Sequence, residues 1–141
     1  MKRTTWESLL RIASFPTKGD NGIRRTWFMQ FVYDNSHKRK LRHVELVKDR
    51  ILRMPTLLLP NDFPYYLDRD IFHCVLWYDN RVPIQPLFEI KGQLLNSYLF
   101  DICYYQNAEY NSSVRQIPHF QVFLKPKSPG MIRRPIFEHA T

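Results

Sequence analysis

Two of the five histidines in the sequence stand where an imidazole could do chemistry. His73 lies in the run 71–78 and His119 in the run 119–125, and both runs are rich in the β-branched and aromatic residues typical of strands. An imidazole titrates near neutral pH, so it can serve as an acid or a base. Alternate residues share one face of a strand, so His119 and Gln121 point the same way. If the two strands are neighbours, we expect His73 to lie on that same face.

The residues around these histidines define a candidate site. We take His73 and His119 as its catalytic candidates. The polar residues that we expect to bind a ligand beside them are Asn61, Tyr65, Arg115 and Gln121. Two interpretations stay open: the cluster binds a phosphate or a nucleotide base, or it is a structural hydrogen-bonded network that holds a proline-rich loop against the sheet.

Several common catalytic and metal-binding patterns are absent from the sequence. The chain has only four glycines, and none lies in a phosphate-binding loop pattern. It contains no C-x-x-C or H-E-x-x-H zinc spacing and no G-x-S-x-G nucleophile elbow. These absences argue against the common nucleotide triphosphatase, metalloprotease and hydrolase classes. We predict neither a metal site nor a cofactor.

The formal net charge of +8 favours a polyanionic partner, such as nucleic acid, an acidic protein surface or anionic lipid. The basic patch that we predict consists of Lys38, Arg39, Lys40 and Arg42, with Arg133 and Arg134 near the C-terminus. We place its first group at the start of a helix, where cations oppose the helix dipole. It is either compensated by an anionic partner or simply a solvated positive face.

The hydrophobic pattern predicts four helices and at least three strands. A capping box begins the first helix at Thr4, and Pro16 ends it. The third helix begins at His37. The side chains that we expect to face the core from the second helix are Ile23, Trp27, Phe28, Phe31 and Val32. The remaining elements are a helix over 87–98 and strands over 71–78, 102–106 and 119–125.

The order of these elements predicts the fold class. Helices gathered first and strands later favour an α+β fold over a doubly wound parallel sheet. The expected architecture is N-terminal helices followed by a small, mostly antiparallel sheet with one further helix. Residues 1–125 are long enough to form a single domain around one core, and residues 126–141 are predicted to form an extended, proline-rich basic tail that is not packed.

Location is predicted from three features. No apolar run approaches the roughly 20 residues needed to span a bilayer. The N-terminus lacks the apolar segment of a secretory signal. Cys74 and Cys103, the only cysteines, lie in apolar surroundings, which fits a reducing compartment better than a disulfide. We therefore predict an intracellular, cytoplasmic protein without membrane insertion and, if it is viral, one associated with the virion.

Three short motifs resemble those of a known family. They are Asn61-Asp62-Phe63-Pro64-Tyr65, His73-Cys74-Val75-Leu76-Trp77 and His119-Phe120-Gln121-Val122-Phe123. In this order they resemble the N-acetylglucosamine-induced protein family, a domain of unknown function found in fungi and large DNA viruses. The resemblance covers most of residues 4–125 and implies a shared domain, but it implies no activity.

A more distant resemblance is to the histidine-triad nucleotide-binding proteins, whose H-x-H-x-H strand presents a nucleophilic middle histidine to a phosphate. The corresponding series here is His119, Gln121 and Phe123. Gln121 cannot act as a nucleophile or transfer a proton near neutral pH. The resemblance therefore implies a strand that has kept its place and lost its chemistry.

These observations favour a binding protein over an enzyme. We predict a non-catalytic basic binding or assembly protein, such as a small structural component of a virus particle (a minor capsid protein) or of another large complex, with other proteins of that assembly as partners. A second hypothesis is a histidine-dependent nucleotide-binding or phosphate-processing enzyme that uses His73 and His119. A third is sequence-independent nucleic-acid binding through the basic patch.

Overall fold

The computed structural model describes residues 1–15, 21–107, 117–128, 130 and 134–138. Its helices are α1 (Trp6–Ser14), α2 (Trp27–Asp34), α3 (His37–Ile51) and α4 (Pro86–Gln93), with a short 3-10 helix at Ser97–Leu99. Its strands are β1 (Thr56–Pro60), β2 (Phe72–Tyr78), β3 (Leu94–Leu95), β4 (Phe100–Tyr105), β5 (His119–Pro126) and β6 (Ile136–Phe137). Helices precede an antiparallel sheet, so the predicted α+β fold is confirmed.

Four strands form the main sheet in the order β1-β2-β5-β4, and every neighbouring pair is antiparallel. The strand β1 was not predicted. Its Leu57 and Leu58 are both fully buried, since α3 covers one face of the strand and α4 the other. A strand that is buried on both faces lacks the alternation of polar and apolar residues by which strands are recognised.

The N-terminal helix α1 begins one residue later than predicted. Its N-cap is Thr5, whose hydroxyl accepts a hydrogen bond from the backbone N–H of Ser8 at 3.2 Å. Thr4 instead joins a parallel bridge to Leu67, because its backbone N–H donates to the carbonyl of Tyr66 at 2.8 Å. The neighbouring threonines offer the same capping chemistry, so the sequence alone could not separate them.

The prediction that Trp27, Phe28 and Phe31 of the second helix face the core is wrong. These side chains are exposed by 79%, 66% and 55%. Thr26 caps α2 by accepting from the N–H of Met29, and the opposite face of the helix, with Tyr33, packs against Phe63. Since α2 is apolar on more than one side, its periodicity does not reveal which side is buried.

The basic helix α3 begins at His37, as predicted. Its apolar face carries Val44 and Val47, which are buried against Leu57 and Trp77 of the sheet. Its first turn contains no acidic residue, and Ser36 makes no side-chain capping bond to it. The N-terminus of this helix therefore provides neither a side-chain cap nor a carboxylate to offset the cations of its first two turns.

Part of the predicted tail is packed, which corrects the expectation of a free arm. The helix α4 ends at Gln93, earlier than the pattern suggested, and the chain continues as β3. The strand β6 of the tail pairs with β3 in antiparallel register, and Phe137 packs on the apolar cluster that contains Ile90. This aromatic side chain anchors the segment, because its apolar area is removed from water there.

The two cysteines are free thiols on opposite faces of the sheet. Cys74 packs in the cluster beneath α4, and Cys103 packs in the cluster beneath α1. Burial raises the pKa of Cys103 to about 11, so its thiol is protonated at neutral pH. In the part of the chain that the structure describes, no helix has the length and apolar character needed to cross a bilayer.

Candidate functional site

A cleft of about 240 Å³ opens between α3, the loop that follows β1, and one face of the sheet. Its floor consists of Val75, Trp77, His119 and Gln121. One wall is formed by Lys40, His43 and Val44 of α3, and the other by Asn61, Asp62, Phe63 and Tyr65. Arg25 and Tyr33 close one end, and Asn107 also reaches the cleft. Most of the candidate binding residues thus meet in one concavity, the usual form of a small-ligand site.

The antiparallel register of β2 and β5 sets the order of the floor. Along this face His73 lies opposite Phe123, Val75 opposite Gln121, and Trp77 opposite His119. The two candidate histidines therefore share a face, as expected from neighbouring strands. They are nevertheless four residues apart along the strand direction, which is about 13 Å. They do not form one catalytic pair, because Gln121 occupies the position between them.

His73 lies behind the cleft and is held in one neutral form. Its ring packs against Tyr65, with ring centres 4.5 Å apart, and against Phe123, with ring centres 4.8 Å apart. The backbone N–H of Tyr65 donates to Nδ1 of His73 at 3.2 Å. A backbone N–H can only donate, so Nδ1 carries the lone pair and Nε2 carries the proton. Burial, with a smaller contribution from the charge of Arg25, lowers the pKa of His73 to about 3.

This tautomer orients the amide of Gln121. Nε2–H of His73 donates to Oε1 of Gln121 at 2.5 Å. Oε1 is therefore committed to His73, and the NH₂ group of Gln121 makes no hydrogen bond with the described residues. The amide of Asn61 is oriented in a similar way, because its Oδ1 accepts from the backbone N–H of Phe63 at 2.7 Å. Both amides have their oxygen committed, so the groups that they can offer are donors.

At the other end of the floor, His119 lies beside Trp77. Nδ1–H of His119 donates to the carbonyl of Ile117 at 3.0 Å, so the lone pair is on Nε2. Burial lowers the pKa of His119, and it is neutral at neutral pH. Its ring centre is 4.7 Å from that of Trp77, and His43 of α3 is 5.7 Å from the same indole. The indole N–H of Trp77 is buried and has no hydrogen-bond partner among the described residues.

Two cations stand at the end of the cleft nearest Tyr65. The guanidinium of Arg25 lies over the ring of Tyr33 at 4.1 Å, and Nζ of Lys40 lies over the same ring at 3.8 Å. Nε of Arg25 donates to the carbonyl of Phe63 at 2.8 Å, which fixes the side chain. Within the described residues, neither cation forms an ion pair with a carboxylate.

The remaining predicted residues are dispersed. Lys38 and Arg42 are exposed on α3, and Arg39 pairs with Asp62 at 3.6 Å on the rim of the cleft. Arg134 is exposed on the tail. Arg115 and Arg133 lie outside the described residues. The basic patch is therefore divided, since Lys40 turns into the cleft while its neighbours stay on the surface.

Sequence reasoning missed Arg25, Tyr33, His43 and Trp77 as cleft residues. Each lies on an element that was predicted, but no periodicity indicates that α2 and α3 close over the sheet. The spacing within residues 37–43 was one usable signal: Lys40 and His43 are three residues apart, so they share one face of the predicted helix. No group of three or more metal-ligating side chains occurs among the described residues.

Comparison with known proteins establishes the fold and a family. No curated protein matches the chain. A solved structure, described as the crystal structure of HTC1, is similar with a TM-score of 0.56 and 19% identity, over 86% of this chain and 84% of that chain. That likeness shows a shared fold. Residues 28–125, from α2 to β5, match a family described as a protein of unknown function, DUF3605. This match spans more than half of the chain, and the protein therefore belongs to the DUF3605 family.

Proposed function

We propose that this protein is a non-catalytic binding protein that takes a small polar organic ligand into the cleft between α3 and the sheet. The observation that carries the proposal is the NH₂ group of Gln121, which lines the cleft in a buried side chain and has no partner among the described residues. A buried donor without an acceptor costs about 1–3 kcal/mol. An acceptor on a bound ligand would recover that free energy, and unsatisfied groups of this kind are rare enough to call for an explanation.

The chemistry of the lining favours binding over catalysis. No serine, threonine or cysteine is among the described lining residues. His73 has its pKa lowered to about 3 and has both ring nitrogens engaged, so it cannot exchange a proton at neutral pH. Its role is to position Gln121 and the loop at Tyr65. Nε2 of His119 bears a lone pair, and a base without a serine, threonine or cysteine on the described lining suits recognition better than acyl transfer.

The test uses the indole N–H signals of Trp6, Trp27 and Trp77 in a nitrogen-15 correlation spectrum. Nucleosides, sugars, and their phosphorylated and carboxylated forms are titrated into the full chain. We expect a cleft ligand to shift the Trp77 signal, because Trp77 lines the cleft, and to leave the exposed Trp27 in place. Trp77→Phe and Trp27→Phe assign the signals, and the second serves as the control for binding. Binding that survives Trp77→Phe unchanged, or no response of Trp77 to any compound, would contradict the proposal.

Recovery of the ligand separates this proposal from the enzymatic alternative. After long incubation with the protein, we expect the ligand to be recovered unchanged. Conversion of the ligand that disappears in His119→Asn would instead support the histidine-dependent enzyme predicted from the sequence, with His119 as its base.

A second candidate function is attachment to another protein of a larger assembly, as the composition predicts. The specific observation is the exposed aromatic face of α2, where Trp27 and Phe31 stack at 6.2 Å and Phe28 is also exposed. Exposed apolar patches of this kind mark interaction surfaces. The exposed cations Lys38 and Arg42 follow directly on α3, so the partner surface that fits is apolar with an acidic border.

The assembly hypothesis is tested by fractionating a native extract by size at low and high salt. Migration with a large particle that Trp27→Ser/Phe31→Ser abolishes would support it, and migration of the native protein as a free small species would contradict it. Sequence-independent nucleic-acid binding, a virion location, and membership of the N-acetylglucosamine-induced proteins within the family stay predictions.

A further inference from the structure

The cleft has two chemically different ends, and their separation is set by α3. Lys40 marks one end, and His43, one helical turn further on, marks the other beside Trp77. Side chains three residues apart on a helix have Cβ atoms about 5–6 Å apart. A ligand that reaches both ends therefore has two different groups, separated by roughly the width of one sugar or base ring.

The end at Lys40 carries uncompensated positive charge. The Arg25 guanidinium lies 4.1 Å and the Lys40 ammonium 3.8 Å from the centre of the Tyr33 ring, and both side chains line this end of the cleft. Asp62 is the sole carboxylate among the described lining residues, and it is paired with Arg39 at 3.6 Å. Two cations on the lining of one cleft, neither paired with a carboxylate of the described residues, favour the binding of an anion at this end.

The middle of the cleft adds neutral donors and few acceptors. The oxygens of Gln121 and Asn61 are engaged with His73 and with the N–H of Phe63, so their NH₂ groups are what remains for a ligand. The NH₂ group of Asn61 lies 3.3 Å from Nε2 of His73, close to the same spot. A group that only accepts hydrogen bonds and carries negative charge matches this set of donors.

The end at Trp77 offers aromatic rings and one hydrogen-bond acceptor. The ring centres of Trp77 and His119 are 4.7 Å apart, and Nε2 of His119 bears a lone pair. A ring that packs on these side chains and carries a hydroxyl group can donate its proton to this nitrogen.

From these contacts we propose that the ligand of the cleft is a phosphate monoester of a hydroxyl-bearing ring. Its phosphate lies at the end of the cleft lined by Arg25 and Lys40, and a ring hydroxyl lies at the end lined by Trp77 and His119. A mononucleotide and a sugar monophosphate share this chemistry. The inference rests on the proposed function, since it names the ligand class of the same cleft.

The first experiment uses inorganic phosphate, because it tests the anionic end whatever the rest of the ligand is. Phosphate is titrated against chloride at constant ionic strength while the side-chain signals of Arg25 and Lys40 are followed by NMR. We expect saturable shifts of both. A response no different from that to chloride would overturn the proposal.

The second experiment compares matched compounds: adenosine 5′-monophosphate against adenosine, and glucose 6-phosphate against glucose and glucuronate. We expect at least one phosphate ester to bind about tenfold or more tightly than its uncharged parent, as a charge-assisted hydrogen bond requires. The pair with the larger ratio identifies the source of the ring. Equal binding of parent and ester, with the Trp77 indole still shifted, would overturn the phosphate inference and leave the binding function standing. Failure of the Trp77 signal to respond to any compound would overturn both.

Lys40→Gln is the decisive variant, and Lys38→Gln is its matched control. Both remove one positive charge from the same helix, but Lys40 lines the cleft and Lys38 is exposed outside it. We expect Lys40→Gln to weaken phosphate-ester binding about tenfold or more, while Lys38→Gln stays within about twofold because its charge is screened by solvent. Equal effects of the two variants would show a general attraction to the basic surface and would contradict a built phosphate site.

Discussion

The two faces of the central sheet are built from the same strands and have opposite characters. The face beneath α4 is closed and apolar, with Cys74, Leu76, Val122 and Leu124 almost fully buried. The other face carries His73, Trp77, His119 and Gln121, and part of it opens into the cleft. Alternation along β2 and β5 sends neighbouring residues to these two environments. The polar side chains of these strands are therefore concentrated on the face where a ligand can reach them.

Two buried glutamines, one on each side of the sheet, differ in how many hydrogen bonds their amides make. Gln93, on the closed side, uses both ends of its amide within the protein: Oε1 accepts from the N–H of Leu58 at 2.8 Å, and Nε2 donates to Thr56 at 2.6 Å. Gln121, on the open side, uses only Oε1, towards His73. The glutamines are similarly buried, at 7% and 6% exposure. A fully bonded amide supports the fold, whereas a half-bonded amide beside a cleft is available to a ligand.

The largest expected effect is on the free energy of unfolding, when valine is replaced by alanine on each face of the sheet. Val122→Ala on the closed face should lower the free energy of unfolding by about 3 kcal/mol, since the cavity left there has no access to solvent. Val75→Ala on the cleft floor should lower it by only about 1 kcal/mol, because the site is already open. Urea unfolding of both variants measures the difference. Equal losses would contradict the distinction between the faces.

The glutamines should differ less strongly. Gln93→Leu should reduce the free energy of unfolding by about 2–3 kcal/mol, because the backbone N–H of Leu58 loses its acceptor and Thr56 loses a donor. Gln121→Leu should reduce it by about 1–2 kcal/mol, because only Nε2–H of His73 loses its partner. Only Gln121→Leu should also weaken ligand binding in the cleft. A binding loss in Gln93→Leu of the same size would undermine the assignment of separate roles.

Acid should destabilise the open face through His73. The native pKa of about 3 lies below the ordinary histidine value of 6.5, so the unfolded chain binds the additional proton between these values. Stability is therefore retained above about pH 6.5 and falls as the pH drops towards 3, by about 2 kcal/mol at pH 5 from this group alone. Unfolding measured at pH 7 and pH 5 checks the fall. The nitrogen-15 shifts of the His73 ring should remain those of the neutral Nε2–H form at pH 5, and a titration midpoint near 6.5 in the native protein would refute this expectation.

The smallest effect is expected at the rim of the cleft. Asp62→Asn removes an ion pair with Arg39 in which both side chains are substantially exposed, so the free energy of unfolding should change by less than about 1 kcal/mol. Anion binding in the cleft should strengthen, because the carboxylate no longer opposes the charge of Lys40. Thermal unfolding and phosphate titration measure the two quantities. Weaker phosphate binding in this variant would contradict the placement of the anion beside the rim.

Most helices and strands could be predicted from the sequence, and the predictions that failed have identifiable physical causes. β2 and β5 were predicted because β-branched and aromatic residues fill them, and α3 because its apolar residues repeat at helical spacing. β1 was missed, since burial on both faces removes the alternating pattern. The prediction of the buried face of α2 was wrong, since that helix is apolar on several sides and only its packing against Phe63 decides which side is covered.

Local periodicity and composition were enough to predict the α+β order of elements, the shared face of His119 and Gln121, and the positive charge of α3, because each of these depends on residues close together in the chain. It also supplied the candidates Asn61, Tyr65 and Gln121, which do meet in the cleft. That His73 is a buried, neutral positioning residue follows only from the folded structure, since burial among residues distant in the chain lowers its pKa. The meeting of Arg25, Lys40 and Trp77 at one site likewise follows only from the fold, because it joins the segment before α2, the helix α3 and the sheet across distances in the chain that no local pattern encodes.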